Sequence, residues 1–188
     1  MKTSLRQLIL AGVLLEVMIF VLSYFSSENF NETIRLSARF SGRLSAVLFL
    51  MVFFLYASLK GGKVERETPF FNNLILFTVL HIIHFGFLVA NVFMNAIELI
   101  PVKLLGGALA YGMIVAAPWV FDRLKRGLQL VYFYYVSLVM IITYVARANG
   151  DFQGAEPSLI HFIFIAIYLF ACLGFGVLIR KNKKLLVS

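Results

Sequence analysis

One cysteine, one tryptophan and four prolines stand in 188 residues, and only 14% of the chain is charged. The lone cysteine, Cys172, excludes an intramolecular disulfide and any cluster of thiolate metal ligands. It falls inside an apolar stretch, where it reads as a small packing residue. So few prolines leave long helices uninterrupted. Charge near 14% is well below the about 25% of ordinary soluble domains. Acidic residues are the scarcest charges, 9 against 17 basic ones, for a net charge of +8. The chain has no Gly-rich nucleotide loop and no flavin or nicotinamide domain. It also has no basic module interleaved with aromatics, so nucleic acid is not its partner.

What fills the chain instead is hydrocarbon. Hydrophobic residues make up 61% of it and its mean hydropathy is +0.91. Six stretches are long enough to cross a bilayer, each near the about 20 residues a span requires. They are roughly Leu8–Phe25, Leu44–Leu59, Asn72–Phe93, Val102–Phe121, Leu128–Ala146 and Ser158–Ile179. A soluble helix would carry a charged face through its middle, and these stretches carry almost none. The expected fold is all-α: a single domain over residues 1–188, an integral membrane bundle of six transmembrane helices in contact with lipid.

Basic residues set the expected orientation. Lys2 and Arg6 precede the first span, and Lys60, Lys63 and Arg66 separate the second from the third. Arg123, Lys125 and Arg126 separate the fourth from the fifth; Arg180, Lys181, Lys183 and Lys184 follow the sixth. The opposite side carries only Arg35, Arg39, Arg43, Lys103 and Arg147. The positive-inside rule then places both termini in the cytoplasm. The first apolar run is longer than the about 7–15 residues of a signal-peptide core, and no small-residue cleavage site follows it. It therefore reads as an uncleaved first helix. Short loops and no eukaryotic targeting signal point to a bacterial inner membrane.

Punctuation between the spans is sparse. Ser26–Ser37 is the longest polar connection on the outer side, and its Asn31-Glu32-Thr33 reads as a chance match to a glycosylation acceptor. Pro101 and Pro157 open spans four and six, where a missing N–H is harmless. Asn149–Pro157 is turn chemistry. Gly106, Gly107, Ala110 and Gly112 in span four, with Gly174 and Gly176 in span six, are candidates for close helix packing. Trp119, Tyr132, Tyr134 and Tyr135 read as an aromatic belt at the inner interface.

A few ionisable side chains fall inside the spans, Glu16, His81, His84 and His161 foremost. Such groups are costly in hydrocarbon and face the bundle interior, which makes each a functional candidate. Glu16 also reads as a protonated carboxyl bonded within the bundle. His81 and His84, spaced i, i+3, share one face of span three. His161 lies about one turn into span six, about 9 Å further out than His84. Imidazole is the usual axial ligand of haem iron. Two histidines one turn apart cannot serve opposite porphyrin faces, so one of them would pair with His161. Arg39 and Arg43, at i and i+4 by the outer end of span two, could hold porphyrin propionates or lipid phosphates. A zinc ion could instead take all three imidazoles and keep a water position, giving an intramembrane hydrolase, although no well-placed carboxylate supplies its general base. A third possibility is a non-enzymatic accessory subunit, or a small-molecule binder or carrier, whose histidines only hydrogen-bond neighbouring helices.

Three places resemble the ferric reductase-like transmembrane family. Arg39-Phe-Ser-Gly-Arg43-Leu-Ser is similar to the opening of its second helix, with Lys60 near that helix's end. Leu80-His81-Ile-Ile-His84 resembles its third-helix Leu-His motif and puts His81 on a haem-ligand position. Phe121-Asp-Arg-Leu-Lys125-Arg resembles its fifth-helix entry, where Lys125 stands in place of the family's histidine. A second fifth-helix histidine would fall near Leu138. The resemblance implies a b-type haem and transmembrane electron transfer, as the membrane component of an oxidoreductase. The donor would be a separate protein or a quinone. With the fifth-helix ligands replaced, His161 is the candidate second ligand; a five-coordinate haem, or a scaffold without haem, is also open.

Overall fold

The computed structural model describes residues 4–59, 64–151 and 157–181. Among them there is no strand. Six α-helices follow in order: α1 (Leu5–Phe25), α2 (Phe30–Ala57), α3 (Pro69–Met94), α4 (Pro101–Val120), α5 (Arg126–Ala148) and α6 (Leu159–Lys181), with a 3-10 turn at Phe121–Arg123 between α4 and α5. Each of the six contains a window long and apolar enough to cross a membrane. The chain is thus a multi-pass, all-helical membrane protein. Lys2, Lys60, Lys63, Lys183 and Lys184, which entered the orientation reading, and residues 152–156 of the expected turn lie outside the described residues.

The helix ends follow from local chemistry. Ser4 caps α1, its hydroxyl accepting from Gln7 N–H while the Gln7 side chain accepts from Ser4 N–H, a reciprocal capping box. Thr68 caps α3 in front of Pro69, the first-turn position where proline loses nothing. Pro101 opens α4 as expected, whereas Pro157 stays outside α6, which begins at Leu159.

α2 departs most from the sequence reading. It starts at Phe30, so most of the expected outer connection Ser26–Ser37 is helix. Asn29 Oδ1 accepts from Glu32 N–H at 2.9 Å, the geometry of an N-cap, and Arg35 pairs with Glu32 one turn on. Ser37, Ala38, Ser41, Ser45 and Ala46 are all buried. Their spacing of three and four forms one inward face, and the arginines lie off it. Average hydropathy hid that amphipathic extension.

Contacts divide the chain into two compact units. The first holds α1, α2 as far as Val52, and α3. Its core includes Phe49 against Phe77, with ring centres 5.4 Å apart, and Phe20 stacked on Phe87. α1 comes close to α3 at Gly12, where an added Cβ would lie 2.8 Å from Leu76 Cδ1 and 3.0 Å from Leu80 Cδ1.

The second unit holds the end of α2 from Phe53, with α4, α5 and α6. Its centre is aromatic: Phe53 stacks on Phe133 at 4.9 Å, and Tyr56 meets Phe121, Phe133 and Phe175. Tyr132 is part of this core at 2% exposure, not of an aromatic belt, while Trp119 is exposed. Tyr134 donates to Cys172 O and Tyr135 to Gly106 O, so these phenols reach backbone carbonyls of neighbouring helices. The small-residue tracts do less than expected. A Cβ on Gly107, Gly112 or Gly174 would meet nothing within 4 Å. Gly106 and Gly176 face only the hydroxyls of Tyr135 and Tyr134, at 3.8 and 3.6 Å.

Candidate functional site

In the first unit, three helices bring polar side chains together out of contact with lipid. α1 contributes Glu16, α2 contributes Ser41, Gly42 and Ser45, and α3 contributes His81 and His84. Glu16, Ser41, Ser45, His81 and His84 are all buried. Ser41 and Ser45 sit one turn apart on the inward face of α2, so each hydroxyl can reach a different neighbouring helix. Ser41 Oγ donates to Glu16 Oε1 at 2.9 Å. Ser45 Oγ and His81 Nδ1 are 2.5 Å apart. Gly42, between them, lies under the imidazole of His84: a Cβ there would come within 2.9 Å of Cε1 and 3.3 Å of Nε2. The rings of His81 and His84 are 5.6 Å apart at 51°, and Phe77 lies 5.2 Å from His81.

His81 and His84 are thus neighbours in one unit, as their spacing implied, while His161 belongs to the other. His161 is buried near the start of α6, with its ring 6.1 Å from that of Tyr144, which stacks on Phe164 at 4.7 Å. Arg39 and Arg43 fall well inside α2 rather than at its entrance. Arg43 lies over the Phe40 ring at 5.2 Å.

Sequence reasoning missed the hydroxyls. Ser37, Ser41 and Ser45 recur every four residues and are each fully buried, and that spacing was the available signal. It also missed Gln129, buried at the start of α5. Its Nε2 donates to Phe121 O and Leu124 O at 2.9 and 3.1 Å, and its Oε1 accepts from Tyr56 at 3.0 Å. Gln129 bonds two carbonyls of the turn between α4 and α5, one of which, Phe121 O, also accepts from Leu124 N–H, which makes it a structural residue.

The donor set fits haem in part. A ligating histidine donates its remaining ring N–H to a neighbour, and Ser45 stands at His81 Nδ1 where it could accept such a bond, with Nε2 left for a metal. His84 fits less well, because its ring is packed onto Gly42. Among the described residues, there is no group of three or more His, Cys, Asp or Glu side chains that could hold a metal ion. Two apolar hollows are of ligand size. One of about 450 Å³ is lined by Phe20, Val21, Tyr24, Phe25 and Phe30; one of about 200 Å³ lies between α4 and α5. Neither is lined by a histidine. No protein-family model, curated protein or solved structure matches the chain.

Proposed function

We propose that this chain is a membrane protein that binds one b-type haem through His81 and takes part in electron transfer across the bilayer. The observation that carries the reading is the Ser45–His81 contact of 2.5 Å. A buried imidazole with one nitrogen bonded to a neighbour is held in orientation, and with its proton on Nδ1, donated to Ser45, it presents Nε2 to iron. The haem would supply reversible one-electron chemistry. The chain's own residues hold and orient the ligand ring and exclude water from it. The resemblance of Leu80-His81-Ile-Ile-His84 to the ferric reductase-like third helix points the same way. In this reading His84 flanks the ligand, and Arg39 and Arg43 are candidate propionate partners; His161, the second ligand expected from the sequence, belongs to the other unit. The electrons come from a separate donor protein or a quinone. The protein resides in a bacterial inner membrane with both termini in the cytoplasm.

The absorbance spectrum of the purified full-length chain, expressed with haem supply, tests this. A Soret band is expected, lost in His81→Ala. Ser45→Ala should keep the band and shift the midpoint potential, since it alters only the partner of the ligand. Absence of the band, or a spectrum unchanged in His81→Ala, His84→Ala and His161→Ala alike, overturns the proposal.

One observation favours a second reading. The close seat of His84 on Gly42 is how a packing residue behaves. In that reading the chain is a non-enzymatic accessory subunit or small-molecule binder, and its histidines join α2 to α3. Copurification of a stoichiometric partner with a cofactor-free spectrum would support it.

A further inference from the structure

Glu16 has no task in the haem reading. It is 3% exposed, at the middle of α1. Gly12, one turn earlier, lets the helix approach Leu76 and Leu80 of α3, which closes apolar surface over that stretch. The Glu16 carboxyl has one hydrogen bond, from Ser41 to Oε1. Oε2 is buried and makes none among the described residues. The charged or titratable side chains on the helices beside it are Glu32, Arg35, Arg39, Arg43 and Tyr56 on α2 and His81 and His84 on α3; Glu32 and Arg35 pair with each other, and Tyr56 donates to Gln129. Arg43 lies over Phe40, His81 meets Ser45, and His84 lies on Gly42. A carboxylate with a bare oxygen in such a place costs far more than the neutral acid.

Buried hydroxyls recur along α2 between this carboxyl and the end of the helix pair: Thr33, Ser37 and Ser41. At the turn between α1 and α2, Ser27 Oγ and Thr33 Oγ1 lie 2.6 Å apart. Ser37 donates to Thr33 O at 2.8 Å, and Ser41 follows one turn on, at Glu16. Ser23 is buried on α1 along the same stretch. Each step along α2 is about 6 Å, a spacing that one water molecule can bridge between two hydroxyls.

We propose that Glu16 and Ser41 form an intramembrane proton-binding site, reached along the Ser27–Thr33–Ser37 lane. Glu16 is held as the neutral acid, with Ser41 donating to Oε1 and the proton on Oε2. On release the Oε2–H bond breaks, its electron pair stays on the oxygen and the proton passes to a water molecule. Uptake is the reverse. The site uses no iron and stands apart from the haem reading.

Infrared spectra of the full-length protein in lipid bilayers test it. A carbonyl band of a protonated carboxylic acid is expected, lost in Glu16→Gln and shifted after transfer to heavy water. Ser41→Ala should keep the band and raise its frequency, because the carbonyl loses its donor; this arm stands if Glu16→Gln fails to fold. Dicyclohexylcarbodiimide should modify Glu16 and leave the exposed Glu67 unmodified. A band absent, indifferent to both substitutions or insensitive to heavy water overturns the proposal, and so does an unmodified Glu16.

Discussion

At the scale of single residues, the site in the first unit depends on what Gly42 lacks. Any side chain there must displace the His84 ring, since a Cβ would stand 2.9 Å from it. Overpacking a closed interior costs about 1–3 kcal/mol. Gly42→Ala should therefore lower stability by that amount in thermal unfolding of the detergent-solubilised protein. Removing the ring should relieve the clash, so Gly42→Ala with His84→Ala should cost less than the two changes added separately. The histidines and Glu16 were legible in the sequence, because ionisable groups stand out against hydrocarbon. Their partners were not. Serine is common and only weakly polar, so Ser41 and Ser45 become informative only once α1 and α3 are known to flank α2.

At the scale of elements, the six helices were legible because length and hydropathy suffice to define a span. One end was legible at Pro101, which opens α4 as expected, whereas α3 begins at Pro69, three residues before the expected Asn72. The start of α2 was not, because the arginines on its outward face lower the average hydropathy while its inward face stays small and buried. The junction of α4 and α5 was hidden for a different reason. It is stabilised by Gln129, which lies beyond the turn and bonds back across it. Gln129→Leu should leave Phe121 O, Leu124 O and the Tyr56 hydroxyl without that partner, a loss of about 1–3 kcal/mol. The check is thermal unfolding against wild type, with Tyr56→Phe as a smaller loss of the same kind.

At the scale of the whole molecule, six helices among the described residues are long and apolar enough to span the membrane. The division into two compact units was not legible, since hydropathy carries no information about which spans touch. Orientation can be read with single cysteines, because replacing Cys172 with serine removes the only native thiol. In that background an impermeant thiol reagent applied to intact cells should label Asp151→Cys and leave Glu67→Cys unlabelled. α1 adds a consequence for how the protein is made. Its buried residues are Gly12, Glu16 and Ser23, while Leu10, Leu14, Leu15, Met18 and Leu22 remain exposed on the molecule. Lipid already solvates those leucines, so no hydrophobic force draws the helix to its neighbours. What ties α1 to α2 and α3 is then the bond between Glu16 and Ser41 and the close approach at Gly12, so its place is fixed only once those partners stand beside it in the membrane.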